Sequence, residues 1–138
     1  MPAYDIGPRI GIEGEKEFKN SIKAIDSEIR ALQNQLRTLS KEYDENDRSV
    51  EGVTKKQNAL NQAIETSRKR IDLLTSQYEK QVQELKRLED ALEQARKENG
   101  EGSTEAQRAE AAYARQAKTV NDLGARLERA KGQLITFE

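Results

Sequence analysis

The stretch FKNSIKAIDSEIRALQNQLRTLSKEY, residues 18–43, indicates the fold class of this chain. Its apolar residues are separated alternately by four and three positions, which is the spacing of a coiled-coil seam with seven residues per repeat. With Ile22 placed at the a position of the repeat, the a and d positions hold Phe18, Ile22, Ile25, Ile29, Leu32, Leu36, Leu39 and Tyr43. This run predicts an amphipathic helix whose apolar stripe packs against another helix.

The same repeat continues in two further stretches, from about residue 50 to 98 and from about residue 104 to 138. We call its predicted helix-packing side chains the seam. Beyond the first stretch the seam contains Leu60, Ile64, Ile71, Leu74, Tyr78, Leu85, Leu88, Leu92, Tyr113, Val120, Leu123 and Leu127. The pattern is extended by Val53, Ala95, Ala106, Ala109, Ala130, Leu134 and Phe137, and it is interrupted by Gln57, Ser67, Gln81 and Gln116. These polar side chains fit water access, a fixed register or a looser bundle of several chains.

Two polar segments separate the three stretches. DENDRS, residues 44–49, collects short side chains that compete for backbone hydrogen bonds. In NGEGST, residues 99–104, Gly100 suits the left-handed residue that ends a helix, Ser103 or Thr104 can cap the next helix, and Thr104 with Gln107 matches a capping box. The sequence therefore predicts an all-α fold of elongated coiled-coil helices over 15–44, 50–98 and 104–138, folded into hairpins by short turns.

One continuous rod is the alternative to hairpins. The a positions keep a single phase through both polar segments, because multiples of seven separate Ile22, Tyr43, Val50, Leu85, Leu92, Ala106 and Leu134. A turn has no reason to preserve this phase, whereas an unbroken helix does, and such a helix would be a rod of roughly 180 Å. Hairpins are favoured because each glycine in a helix interior costs ~1 kcal/mol and two lie close together at 100 and 102.

The charges beside the seam do not identify its partner. In a parallel dimer Glu28 would face Gln33, and Glu84 would face Glu89. This mixture does not encode a strict parallel homodimer. We expect a homo-oligomer, with its copy number and helix direction left open.

The first 14 residues have a different period. Apolar side chains alternate with others from Tyr4 to Glu13, and this predicts a short strand or extended arm that carries Ile6, Ile10 and Ile12. A lone strand leaves its backbone groups without partners. Two interpretations remain: the strand pairs with another chain, or the arm packs loosely on the helices.

Composition excludes several classes of function. Charged residues make up 36% of the chain, against about 25% in typical soluble domains, yet the net charge is −1 and the signs are interspersed. The longest basic run, Arg68 to Arg70, is interpreted as a solvated helix face, so no specific nucleic-acid binding is expected. No apolar run approaches the ~20 residues of a membrane span. His and Cys are absent from the sequence, and we expect no catalytic, cofactor or metal site.

The stretch from Tyr4 to Ile64 resembles the amino-terminal region of tape measure proteins of long, non-contractile phage tails. The similarity lies in IGPRIGIEGEKEF (residues 6–18), in the isoleucine and leucine spacing from Ile22 to Leu32, and in DENDRSV (residues 44–50). NGEGSTEAQRAEAAYARQ, residues 99–116, is similar to that family's second helix break.

This resemblance implies a virion structural protein rather than an enzyme. Tape measure proteins are largely helical, lie extended inside the tail tube and set tail length. The implied partners are further copies of the chain, the tail-tube protein, tail assembly chaperones and tail-tip proteins. The implied locations are the virion tail and, during assembly, the cytoplasm of the bacterial host.

The chain departs from the family in length, because tape measures run to many hundreds of residues. We therefore expect a fragment of a longer protein, without the membrane-inserting or lytic segments of some relatives. The alternative function is a host cytosolic coiled-coil scaffold or adaptor, whose seam docks other helices.

Overall fold

The computed structural model describes residues 14–44 and 46–138, and this part of the chain is all-helical. Helix α1 spans Glu15–Glu42, α2 spans Val50–Asn99 and α3 spans Thr104–Phe137. No strand occurs within the described ranges. The all-α prediction is confirmed. The alternative of one unbroken helix over 15–138 is wrong, because the backbone leaves the helical conformation after α1 and again after α2.

The helix bounds differ slightly from the predicted ones. α1 ends two residues before the predicted position 44, α2 ends one residue after 98, and α3 ends one residue before 138. The strand or arm predicted for residues 1–14, with Ile6, Ile10 and Ile12, lies outside the described residues, apart from its last residue. That residue is Gly14, which has a left-handed φ of 81° and directly precedes α1.

Side chains of the polar segment 44–49 form the first turn. The Asp44 carboxylate accepts a hydrogen bond from the Asn46 N–H (2.9 Å), and the Asp47 carboxylate accepts one from the Ser49 N–H (2.8 Å). The Ser49 hydroxyl then accepts a bond from the Gly52 N–H (3.1 Å), which makes Ser49 the N-cap of α2. These local bonds end one helix and start the next, as expected where short polar side chains compete with the helix ladder.

The second turn is set by a glycine and a serine. Gly100 has a φ of 89°, the left-handed conformation predicted for it, and its N–H donates to the carbonyl four residues earlier (3.0 Å). The Ser103 hydroxyl accepts a bond from the N–H three residues later (3.1 Å), so Ser103 caps α3. The capping box predicted for Thr104 and Gln107 is wrong, because Thr104 is already helical and the Gln107 N–H donates to the Ser103 carbonyl (3.0 Å).

The helices contribute to two compact units. One contains the part of α2 from Thr75 onward and the part of α3 up to Arg126. The other contains α1 from Lys16, α2 as far as Leu74, and the last residues of α3 from Leu127. We call them the two-helix unit and the three-helix unit. The seam runs through both, and each unit has its own apolar cluster.

Candidate functional site: the helix-packing seam

The predicted seam lies on the interior faces of the helices. Eleven of its twenty members are buried: Phe18, Ile22, Ile29, Leu32, Leu39, Leu74, Leu88, Leu92, Val120, Leu123 and Leu127. The other nine are partly buried: Ile25, Leu36, Tyr43, Leu60, Ile64, Ile71, Tyr78, Leu85 and Tyr113. None of the twenty is exposed. Within one chain, therefore, the fold shields each of these twenty side chains from solvent at least in part.

In the three-helix unit the seam brings together side chains from all three helices. Leu32 of α1, Ala63 of α2 and Phe137 of α3 form one buried cluster. Leu36, Leu60 and Ile64 pack against it. At roughly 25 cal/mol per Å² of buried apolar area, such contacts supply most of the stability of a helical assembly. Phe137 makes α3 part of this unit although it lies at the far end of its helix.

In the two-helix unit small side chains allow α2 and α3 to approach closely. Leu92 and Ala95 of α2 form a buried cluster with Ala106 and Ala109 of α3, and Tyr113 packs against it. On the outer side Arg96 lies 4.0 Å from Glu110, a contact between exposed groups that contributes little. Because alanine side chains at the a and d positions are short, the backbones of α2 and α3 can lie close together here, and this favours their pairing.

Two of the polar interruptions of the seam bind each other. The Gln116 side-chain N–H donates to the Gln81 backbone carbonyl (2.8 Å) and to the Gln81 side-chain oxygen (2.7 Å), and both residues are only 2% exposed. Buried amides require such partners, and a bidentate arrangement exists at only one alignment of the two helices. Of the interpretations left open by the sequence, this pair fits a fixed register between α2 and α3.

Polar contacts also join the helices of the three-helix unit. The Thr66 hydroxyl donates to the Glu28 carboxylate (3.2 Å), and the Arg70 guanidinium donates to Asp26 (3.4 Å) and also to Gln133 of α3. Asp26, the earlier of the two α1 residues, therefore contacts Arg70, the later of the two α2 residues. One guanidinium links all three helices.

The interpretation of Arg68–Arg70 as a solvated face is correct for two residues and wrong for the third. Arg68 and Lys69 are exposed, but the Arg70 side chain is only 11% exposed. Arg70 lies one position before the a-position Ile71, where its aliphatic part packs between helices while its charged end reaches Asp26. The sequence signal was its g position, which flanks the seam.

The first turn and the start of α2 form a compact corner around Tyr43. The Lys55 ammonium donates to the Tyr43 hydroxyl (3.3 Å), lies 5.5 Å from its ring centroid and pairs with Glu51 (3.0 Å). Hydrogen bonds to Lys55 and Tyr43 lower the pKa of Glu51, and the bond to Glu51 raises the pKa of Lys55. A Cβ added to Gly52 would lie 2.6 Å from a ring carbon of Tyr43. The turn therefore requires glycine here because the tyrosine ring occupies that space.

Two valines at seam positions are exposed. Val53 was predicted to extend the seam, but it is 52% exposed, and the a-position Val50 is 83% exposed. Both lie in the first turn of α2, beside the place where the chain reverses. The prediction for Val53 is wrong in this fold because α1 ends at Glu42 and no helix covers this part of α2 within the described residues.

Sequence reasoning missed a second group of buried residues. They are small or polar and flank the a and d stripe: Ala59, Ala63, Thr66, Gln77, Ala91 and Ala112. A heptad pattern marks one stripe, whereas a helix with two neighbours buries a wider face. Alanine and threonine at the c and g positions were the available signal.

Ser67, one of the polar interruptions of the seam, is fully buried, and its hydroxyl has no hydrogen-bond partner within the described chain.

The acidic side chains of the described residues form no metal-binding cluster. No group of three or more Asp or Glu side chains in this part of the chain is placed to hold a metal ion. The carboxylates of the first turn instead accept backbone hydrogen bonds. One shallow surface depression, lined by Asp90, Glu93, Gln94 and Lys97, lies along a single helix face. None of the described helices combines the length and apolar character that a membrane crossing needs.

No protein-family model, curated protein or solved structure matches this sequence.

Proposed function

We propose that the chain folds as two antiparallel helix pairings, α1 with α2 and α2 with α3, which bury the seam. The order of contacts supports this. Asp26 contacts Arg70 while the later Glu28 contacts the earlier Thr66. In the two-helix unit Arg96 lies near Glu110 while the earlier Gln81 binds the later Gln116. Residue numbers that rise on one helix while they fall on its neighbour are typical of antiparallel packing, and both turns are short enough to produce it.

We further propose that the chain is a structural protein of a phage tail, the amino-terminal part of a tape measure. The observation that supports a structural role is the burial of the seam: eleven of the twenty predicted side chains are buried and none is exposed, while the outward faces carry mixed charge. The heptad pattern of the sequence is suited to helix packing. The resemblance of residues 4–64 and 99–116 supplies the family.

In this proposal, helical association organises tail-tube assembly, and residue count sets length. An α-helix rises 1.5 Å per residue, so α2 alone, with 50 residues, spans about 75 Å. The tail-tube protein, assembly chaperones and tail-tip proteins are the proposed partners, along with further copies of the chain. Contacts with them would use the exposed faces or an opened seam, because the closed chain leaves none of the twenty seam side chains exposed.

Mass spectrometry of purified tailed particles tests the proposal. The source strain would be induced for prophage, the particles separated on a density gradient, and the tryptic peptide IDLLTSQYEK, residues 71–80, quantified. We expect the peptide to co-purify with tail-tube protein in the particle fraction. Genes for tail-tube and tail-tip proteins should also flank the coding sequence.

A different distribution would contradict the phage role. Recovery of the peptide only from soluble host extract, with no particles that contain it, would favour the cytosolic scaffold. A matched control is a major capsid peptide measured in the same fractions, because its enrichment shows that intact particles were recovered.

A further inference from the structure

The two turns of the chain differ in what holds them in place. The second contains Gly100 in a left-handed conformation that other residues rarely adopt. The first, YDENDRS over residues 43–49, contains neither glycine nor proline, and none of its described residues has a positive φ. It is held by a backbone hydrogen bond from the Asp47 N–H to the Asp44 carbonyl and by the side-chain oxygens of Asp44, Asp47 and Ser49, which accept bonds from backbone N–H groups. Such a segment can also adopt a helical conformation.

The heptad phase passes unchanged through this first turn. Leu39 and Val53 both fall on d positions, and Tyr43 and Val50 both fall on a positions. In the closed chain the phase has no effect, because the turn reorients α2 independently of α1. In a helix that ran straight through the turn, the same phase would place the apolar side chains of α1 and α2 on one continuous face.

The exposed valines are explained by the same straightened helix. Val50 and Val53 are among the few large apolar side chains exposed in the described chain, and both are adjacent to the turn. On a straight helix they would join the stripe that Leu39 and Leu60 occupy. The closed fold leaves them unused although they have the right phase.

We propose that the first turn is a hinge through which two copies of this chain exchange α1. In the exchanged dimer residues 43–49 become helical and join α1 to α2, and α1 of each copy packs on α2 of the other. Every α1 contact of the closed chain is remade between copies, including Asp26 with Arg70 and Glu28 with Thr66. Such exchange is a low-cost route to a dimer, because it needs few new contacts.

The position of the two-fold axis follows from the contacts between α1 and α2. The pair Asp26 and Arg70 is centred on residue 48, and the pair Glu28 and Thr66 is centred on residue 47. In the exchanged dimer a residue midway between two partners faces its own copy across the axis, so the axis passes through the former turn. Val50 lies less than one helical turn from this axis.

The proposal rests on the antiparallel α1–α2 pairing proposed above and not on a role in a phage tail. It also explains why the phase survives the turn. A straight helix that packs along its whole length on a second copy needs its stripe on one side throughout, whereas a closed turn does not.

Two variants should shift the equilibrium in opposite directions. Asp47→Ala combined with Ser49→Ala removes bonds made only in the closed turn and should raise the dimerisation constant on the order of tenfold per chain. Arg48→Pro cannot lie in a helix interior. No hydrogen bond within the described chain uses the Arg48 N–H, so this variant should remain a closed monomer of 15.7 kDa with wild-type helicity.

Light scattering coupled to size exclusion at high protein concentration measures both effects. We expect a species of twice the monomer mass that grows in the double variant and disappears with Arg48→Pro. A double variant that stays monomeric up to millimolar concentration, or an Arg48→Pro protein that still dimerises, would overturn the hinge.

Cross-linking separates exchange from side-by-side association, because the chain has no native cysteine. The Glu28→Cys and Thr66→Cys single variants would be mixed at high concentration and treated with a short bifunctional thiol reagent. Exchange predicts a covalent dimer of the two variants. The matched control replaces Thr66→Cys by Asn58→Cys, an exposed position on the same helix, and should give no dimer.

The same two cysteines placed in one chain test the underlying pairing. If they cross-link within a dilute monomer but never between mixed chains, the antiparallel pairing stands and the exchange is wrong. If they cross-link in neither case, both proposals fail.

Discussion

Replacement of Gln116 by leucine tests whether a buried amide pair holds α2 and α3 in register. Gln116 donates two hydrogen bonds to Gln81, at 2.8 and 2.7 Å, and both residues are almost fully buried. Leucine has a similar volume and suits a seam position, so the substitution removes the donors without a large cavity. Any loss of stability should then report the hydrogen bonds rather than packing.

The expected magnitude follows from these contacts. Each intramolecular hydrogen bond contributes about 1 kcal/mol net, and a buried acceptor that loses its donor costs about 1–3 kcal/mol. The added apolar surface of leucine offsets part of this, by about 1–2 kcal/mol. We expect Gln116→Leu to lower the free energy of unfolding by about 2 kcal/mol. The double variant, with Gln81→Leu as well, should return to within about 1 kcal/mol of wild type.

Urea unfolding followed by far-ultraviolet circular dichroism measures these changes, and a double-mutant cycle isolates the coupling. Gln57→Leu is the matched control, because Gln57 also interrupts the seam but is exposed, and its change should stay within about 0.5 kcal/mol. A Gln116→Leu protein as stable as wild type, or strictly additive effects of the two leucines, would refute the register role of the pair.

Three further predictions concern single positions in the described chain. Gly52→Ala should destabilise the fold by more than about 1 kcal/mol because the added Cβ would meet the Tyr43 ring. Gly132 has open space around it, so Gly132→Ala should stabilise the fold by up to about 1 kcal/mol. Urea unfolding of both variants tests this, and stabilisation by both would contradict it. Ser67→Ala should raise the free energy of unfolding by about 1 kcal/mol because it removes a buried hydroxyl without a partner, and thermal melting showing a loss of that size would indicate a partner instead. The hydrogen bond from the Ser49 backbone N–H lowers the pKa of Asp47 below its ordinary value of 3.8. The ionised carboxylate therefore stabilises the folded state above that pH, and this stabilisation is lost as the pH falls through the lowered pKa. The difference in unfolding free energy between wild type and Asp47→Asn should shrink as the pH falls from 5 to 2, and a constant difference would exclude the effect.

Hydrophobic periodicity was sufficient to predict the three helices, and none of the twenty side chains that it assigned to the seam is exposed. The spacing of four and three is local, and in a chain this poor in aromatic residues it has few competing interpretations. Short polar side chains and Gly100 located both turns to within two residues. The N-cap was harder to predict, because Ser103 and Thr104 are chemically equivalent candidates and only the backbone conformation distinguishes them.

The faces beside the seam were not predictable in the same way. Ala63 and Thr66 are buried because α2 has neighbours on two sides in the three-helix unit, and a heptad pattern describes contact on one side only. Arg70 was misassigned for a related reason. Its charge indicates solvent, but its position beside Ile71 places it between helices where Asp26 can reach it. For Val53 the error was the opposite one: its heptad position predicted burial, but the side chain is exposed because the neighbouring helix α1 has already ended.

A single distance tests the antiparallel pairing most directly. Ser27 of α1 and Lys69 of α2 are both exposed, and spin labels at cysteines in these positions can be measured by double electron–electron resonance in dilute samples mixed with unlabelled chain. Neighbouring helix axes lie about 8–10 Å apart, so paired helices should bring the labels to within about 30 Å. A continuous helix would hold the same labels roughly 60 Å apart at 1.5 Å per residue, and that longer distance would contradict the pairing on which the fold depends.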